Sequence, residues 1–142
     1  MPITLRNADI PLIYKALQAL DGRPSPVDVE SDDGKKRTMI HTQPYTFSGM
    51  ARLTVARWIA RLKTETESLG KTHDGLVKQY AMVEVPDMVE EKRMPEWRAE
   101  WMAVQEAAQD YDLALLKYEE LKPEDNKLPG SVLGLLMPLL VT

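Results

Sequence analysis

The 142-residue chain contains no cysteine and only two histidines, His41 and His73. The absence of cysteine excludes a disulfide scaffold, a thiolate zinc site and a cysteine nucleophile, and it favours a reducing compartment. A histidine-based metal site would need further ligands, and no helical i, i+4 pairing supplies them. The sequence therefore predicts neither a metal nor a cofactor.

Long hydrophobic runs are also missing. The most apolar stretch, 128–141, is interrupted by Pro129 and Pro138 and is too short for a membrane-spanning helix. The first residues, MPITLRNADI, lack the basic start and apolar centre of a signal peptide. We therefore expect a cytoplasmic protein with no membrane partner.

The composition that is present suits a soluble globular protein. Hydrophobic residues make up 44% of the chain, charged residues make up 28%, and the formal net charge is −4. A chain of this length can bury about two thirds of its unfolded surface in one domain. We predict a single domain over 1–142, of the α+β class and mainly α.

The clearest pattern predicts a helix in the last third of the chain. Apolar residues recur there at spacings of three and four, typical of a helix that packs one seam against another helix. They are Trp97, Trp101, Val104, Ala108, Tyr111, Leu115 and Tyr118. The predicted helix spans 95–112 or 95–122, and its aromatic rings are expected to dominate the buried area.

A second seam predicts the partner of that helix. Val55, Leu62, Leu69 and Leu76 are spaced by seven, and Ser48 is a suitable N-cap for a long helix over 48–82. Two such helices joined by a short connection predict a long antiparallel helical hairpin of the coiled-coil type.

The remaining segments predict smaller elements. Residues 1–22 fit a short strand followed by an N-terminal helix, and 128–141 fits a C-terminal apolar helix. Residues 23–47 fit either a mobile loop or a β-hairpin that turns at Asp33-Gly34. The segment 113–121 can be interpreted as helix or as strand, and its periodicity favours the helix. A small β-sheet is therefore compatible with the helical hairpin.

Charge is segregated along the chain. Residues 34–64 contain seven cations and no acid, whereas 84–125 contain thirteen acids and five cations. Charge pairs that flank the helical hairpin and fix its register are the simpler explanation. The alternative is an anion-binding or nucleic-acid-binding patch. Its residues would be Lys35, Lys36, Arg37, Arg52, Arg57 and Arg61.

No catalytic constellation is recognisable. The chain has no phosphate loop, dinucleotide fingerprint or nucleophile elbow. Glu96 and Glu100, at i, i+4, come nearest to the spaced acids of a magnesium-dependent nucleotide hydrolase. A solvated helix face explains them better, so we expect no enzyme and no catalytic residues.

Three stretches carry a resemblance to known proteins. They are ITLRNADIPLIYKALQALDG, YTFSGMARLTVARWIARLKTETESL and LKYEELKPEDNKLPGSVLGLLMPLL. Together they resemble small helical proteins of tailed bacteriophages and prophages. The resemblance implies that residues 114–119 are extended and pair with residues 3–5. It also implies a bacterial host cell for the predicted cytoplasmic location.

The hypothesis favoured by these observations is a non-enzymatic, phage-derived protein that acts through protein–protein interaction. It would serve as an accessory, assembly or host-directed factor, binding a protein partner or itself. The predicted partner surface is the apolar end of the chain, with Leu135, Leu136, Leu139 and Leu140. Nucleic-acid binding is the alternative, and the nucleotide hydrolase ranks third.

Overall fold

The structure, a computed structural model, describes residues 2–21, 23–30, 32–43 and 45–141. Its helices are α1 (Ile10–Gln18), α2 (Gly49–Gln79), α3 (Met94–Glu106) and α4 (Gly130–Leu136). Its strands are β1 (Ile3–Arg6), β2 (Arg23–Glu30), β3 (Lys36–Gln43), β4 (Ala108–Tyr111), β5 (Leu116–Lys117) and β6 (Leu140–Val141). Single 3₁₀ turns follow α1, precede α3, and follow β5 and α4. The predicted fold class, α+β and mainly α, is confirmed.

Helix α2 organises the molecule. It begins after Ser48, whose Oγ accepts a hydrogen bond from the Ala51 N–H at 3.2 Å, as the sequence predicts for an N-cap. The buried residues of α2 lie in its first half and recur at helical spacing. They are Ala51, Val55, Trp58 and Leu62. The first half of α2 therefore packs directly into the core, whereas the residues of its second half are at most partly buried, with Leu69 packed against the core.

The N-cap gives a stability prediction. Replacing Ser48 by alanine leaves an amide at the start of α2 without its side-chain acceptor, and we expect the free energy of unfolding to fall by about 1 kcal/mol. Urea denaturation measures this difference. The matched control is Ser68→Ala at an exposed position inside α2, where alanine's helix propensity predicts no loss. Equal destabilisation by both substitutions would contradict the capping role.

Helix α3 lies against the second half of α2. The His73 ring packs edge-on against two indoles of α3. The distance between ring centres is 4.9 Å to Trp101 and 5.8 Å to Trp97. The Tyr80 hydroxyl donates to Glu100 at 2.7 Å. Both tryptophans remain partly exposed, so these contacts are less extensive than the aromatic seam that the sequence predicts.

The predicted second helix, 95–112 or 95–122, is wrong beyond Glu106. The loop after β1 occupies the carbonyl groups at the end of α3. Asn7 donates from its side chain to the Val104 oxygen at 2.8 Å and from its backbone to the Ala107 oxygen at 2.9 Å. The last carbonyl groups of a helix have no hydrogen-bond partner within it, and these bonds satisfy them where α3 ends. The chain then becomes extended, with Ala107 at φ −62° and ψ 138°.

Strand β4 replaces the predicted helix. It pairs antiparallel with β1, from Ile3 opposite Tyr111 to Arg6 opposite Ala108. Tyr111 therefore enters the core from a strand. The pairing implied by the resemblance, 114–119 with 3–5, is wrong, because β1 takes β4 as its partner.

The segment 113–121, interpreted from the sequence as helix or strand, contains a strand and a 3₁₀ turn. Leu116 and Lys117 form β5, which runs parallel to β6 through Leu116–Leu140 and Lys117–Val141 pairs. A 3₁₀ turn follows at Tyr118–Leu121. The helix favoured by periodicity is therefore wrong here.

Strands β2 and β3 form a hairpin, which we call the arm. Their pairing is antiparallel, from Arg23 opposite Gln43 to Glu30 opposite Lys36. Gly34 adopts φ +75° at the turn, a conformation that glycine adopts without steric cost. Of the two interpretations of 23–47, the β-hairpin is the one observed.

Two buried polar contacts tie the last third of the chain to the core. The Trp58 indole donates to the Ala114 carbonyl oxygen at 2.7 Å. The buried Asn126 amide accepts from the Thr46 N–H at 2.8 Å and donates to the Thr46 and Leu121 carbonyl oxygens at 3.1 and 2.9 Å. Asn126 thus fixes the segment between the arm and α2.

The C-terminal helix is shorter than the predicted 128–141. Helix α4 ends at Leu136, and a 3₁₀ turn, Met137–Leu139, leads into β6. This turn and the pairing with β5 place Leu136, Leu139 and Leu140 in the hydrophobic core.

Candidate functional site

A groove between α1 and α4 forms a strongly apolar depression on the described surface. Its volume is about 390 Å³. Its lining residues come from the two helices and the residue after α1. They are Leu12, Lys15, Ala16, Ala19, Ser131, Val132 and Leu135. We call this surface the α1/α4 groove.

The lining of the groove combines large, partly exposed side chains with small ones. Helix α1 buries Ile10, Ile13 and Leu17 and leaves Leu12 50% exposed. Across the groove, Leu135 of α4 is 37% exposed. The small side chains of Ala16, Ala19 and Ser131 also line the groove and leave space that an incoming side chain can fill.

Charge is almost absent around the α1/α4 groove. Lys15 is the one charged residue in the sequence of α1, and α4 has none. The whole stretch 130–142 is uncharged in a chain that is 28% charged. Depletion of charged residues is the compositional signal of the buried centre of a protein–protein interface.

The predicted partner surface of four leucines is only partly accessible. Leu136, Leu139 and Leu140 are buried, so their part of the prediction is wrong, and Leu135 alone of the four lies at the surface. The sequence showed that this segment is apolar, but not which side of it faces the core. The contribution of α1 was missed. The sequence feature that indicates α1 is Leu12, an aliphatic residue outside the helical spacing of the buried residues Ile10, Ile13 and Leu17.

The second exposed apolar feature is the connection between α2 and α3, residues 81–90, which we call the tip loop. Val83 is fully exposed and Met88 is 57% exposed. The loop is nevertheless ordered by backbone hydrogen bonds. The Met82 N–H donates to the Met88 oxygen at 3.1 Å, and the Glu90 N–H donates to the Tyr80 oxygen at 2.9 Å.

The six residues of the predicted cationic patch fall into two groups. Lys35, Lys36 and Arg37 are exposed at the end of the arm, where β-pairing places Glu30 opposite Lys36. The Asp33 carboxylate accepts from the Lys35 N–H at 3.2 Å. The arm therefore places one acidic residue, Glu30, opposite one of these cations, although no acidic residue lies within 34–64 of the sequence.

The other three cations of the patch lie on α2. The Arg52 guanidinium donates to the Tyr45 carbonyl oxygen and lies 5.7 Å from the Phe47 ring centre. Arg61 pairs with Glu65 at 3.7 Å and lies over the Tyr111 ring at 5.5 Å. Arg57 is exposed and lines a depression that Asp112 also lines.

The acidic pair Glu96 and Glu100 does not form a metal site with its neighbours. Glu100 accepts a hydrogen bond from the Tyr80 hydroxyl, and this bond is the main cause that raises the pKa of Tyr80. Over the described part of the chain, no three side chains of the metal-binding types come together. His73 packs on the tryptophans of α3, and the side chain of His41 lies outside the described residues.

Comparison with protein-family models, with curated proteins and with solved structures found no match to this chain. Within the residues that the structure describes, no helix combines the length and the apolar character needed to cross a membrane.

Proposed function

We propose that this protein is non-enzymatic and acts through protein–protein contacts, with the α1/α4 groove as its docking site. The observation that carries the proposal is the groove itself, whose described lining combines two partly exposed leucines and small residues with one charged residue, Lys15. Covering Leu12 and Leu135 would remove apolar area from water, which is the main driving force of association.

The groove also indicates the chemistry of the partner. The space between the leucines suits aliphatic or methionine side chains, because the lining is almost entirely apolar. Lys15 at the groove suits a carboxylate beside those side chains, since opposite charges fix register and orientation at an interface. We propose a partner segment that combines exposed apolar residues with acidic ones.

The resemblance to tailed-phage proteins favours an accessory, assembly or host-directed role in the bacterial cytoplasm. The nucleic-acid alternative has less support. Two of its six cations, Arg52 and Arg61, are engaged within the molecule, and β-pairing places Glu30 opposite a third, Lys36. Binding to nucleic acid needs lysine and arginine side chains that are available to neutralise phosphates.

Photo-crosslinking in bacterial cells that express the full chain from its own genomic context tests the docking site. A photoreactive phenylalanine analogue at Leu12 is expected to give one adduct of defined mass, because this side chain would lie inside the interface. The matched control position is Leu53 on α2, which is 41% exposed and outside the groove. We expect the Lys15→Glu substitution to weaken the Leu12 adduct.

The outcome against this proposal is equally specific. Equal labelling from Leu12 and Leu53, or an absence of any adduct at Leu12, would show that the α1/α4 groove binds no protein. Isolation of the adduct and mass spectrometry of its peptides identify the partner and the segment that contacts Leu12.

A further inference from the structure

We propose that the segment that occupies the α1/α4 groove is the tip loop of a second copy of this chain. The inference rests on the proposed function, since it assigns the partner of the same groove. It predicts head-to-tail self-association, in which each copy offers its tip loop to one neighbour and its groove to another.

The tip loop has the chemistry that the groove suits. Val83, Val85 and Met88 are exposed aliphatic or thioether side chains on one short turn. Methionine adapts well to an irregular apolar surface because its side chain is unbranched and polarisable. Side chains of this size match a groove of about 390 Å³.

Charge complementarity points to the same pairing. Glu84 and Asp87 are exposed on the tip loop, interleaved with its apolar residues. Among the described residues that line the α1/α4 groove, Lys15 is charged and none is acidic. Docking of the loop therefore places two carboxylates near one ammonium group, while the apolar side chains enter the space between Leu12 and Leu135.

The tip loop is already folded for binding. The isolated Ala81–Val89 bridge and the Met88 N–H bond to the Val85 oxygen, at 3.1 Å, hold the turn closed. A preorganised loop loses little conformational entropy when it docks. The exposure of Val83 is thus a property of an ordered turn.

The two surfaces lie at opposite ends of α2. Helix α1 packs on the first half of α2, where Leu20 lies beside Phe47 and Val55. The tip loop follows the last turn of α2, and a 31-residue helix is about 46 Å long. Contact between two different surfaces generates a ring or an open chain of copies, unless both contacts form reciprocally within one two-fold pair.

Sedimentation of the purified full chain over a range of concentrations tests the inference. We expect the average mass to rise with concentration beyond that of a dimer, and to do so weakly, because one loop per contact buries a small area. Two variants, Met88→Asp on the tip loop and Leu12→Asp in the groove, are each expected to weaken association by more than about tenfold, because each places a charge in an apolar contact.

Mixing the two variants gives the decisive result. Met88→Asp retains an intact groove and Leu12→Asp retains an intact tip loop, so an equimolar mixture is expected to form a 1:1 heterodimer and nothing larger. An interface that does not pair the tip loop with the groove would give no such recovery. A reciprocal two-fold pair would recover, but the natural chain would then stop at the mass of a dimer.

Matched controls exclude a general effect of added charge. Met102 has the same exposure as Met88, 57%, but lies on α3 outside both surfaces, so Met102→Asp is expected to associate like the natural chain. Reversal of charge tests the proposed ion pairing. Lys15→Glu is expected to weaken association. A triple variant that also carries Glu84→Lys and Asp87→Lys should regain much of the lost affinity, because the acidic and basic groups have then changed places across the same contact.

Two outcomes overturn the inference. One is a chain that stays monomeric at every concentration. The other is a dimer that persists unchanged in Met88→Asp. If either occurs while Leu12 still crosslinks to a different protein in cells, the groove remains a docking site and only its assignment to a second copy fails. If Leu12 gives no adduct, both proposals fail.

Discussion

Replacement of Trp58 by alanine is expected to lower the free energy of unfolding by about 4 kcal/mol. Trp58 is 1% exposed, and its indole fills the space between α2 and the segment after β4. Alanine would leave a cavity and would also remove the hydrogen bond to the Ala114 oxygen. Urea denaturation monitored by circular dichroism measures the change.

Two comparisons separate these contributions. Trp58→Phe retains most of the ring volume and loses the indole donor, so we expect a cost of about 1–2 kcal/mol. Trp101→Ala removes an indole that is only partly buried, and it should cost clearly less than Trp58→Ala. If Trp101→Ala proves the more damaging substitution, the aromatic contacts between α2 and α3, and not the first half of α2, dominate the stability of this fold.

Replacement of Asn126 by alanine is expected to cost about 3 kcal/mol. Asn126 is 4% exposed, and its amide both accepts from and donates to the Thr46 backbone while also donating to Leu121. Removal of the amide leaves these buried or half-buried groups without their partner. The neighbouring Asp125 is exposed, so Asp125→Ala is the control and should change stability by less than about 0.5 kcal/mol.

The Asn126→Asp variant adds a test that depends on pH. Its carboxylate would face the Thr46 and Leu121 carbonyl oxygens, which disfavour the charged form and raise the pKa of the new carboxyl in the folded state. A raised folded pKa means that stability is greatest below the unfolded pKa, near 4, and is lost as pH rises. Stability that is the same at pH 3 and pH 7, relative to the natural chain, would argue against this geometry.

The sequence predicted correctly those elements whose stabilising contacts join residues close together in the chain. The Ser48 cap and the seven-residue spacing from Val55 placed α2 within a few residues of its observed bounds. The glycine after Asp33 placed the turn of the arm. In each case the deciding contacts are close in sequence, so the pattern contains the necessary information.

The failure after Glu106 has a non-local cause. The apolar spacing continues through Ala108 and Tyr111, but the carbonyl groups at the end of α3 are taken by Asn7 and Ala8, about a hundred residues earlier. No periodicity within 97–118 can reveal that contact. The paired strands β1 and β4 then satisfy the backbone in place of a continued helix.

The candidate site was predictable only in part, for the same reason. Composition showed that the chain ends in an apolar segment, and Leu135 does lie at the surface. The division between buried and exposed leucines depends on the turn after α4 and on the pairing of β6 with β5. The groove itself requires α1 to lie beside α4, a contact between distant parts of the chain.

The pairing of β1 with β4 also bears on how quickly this protein folds. Ile3 lies opposite Tyr111, so this ladder closes a loop of more than a hundred residues. Helix-rich chains usually fold fast because their contacts are local, whereas distant strand pairs slow the search. Helix α2 can form early, but α3 gains its terminal cap only once the first strand has found the fourth. The rate-limiting step is therefore expected to resemble that of a mixed α/β domain more than that of a helical bundle.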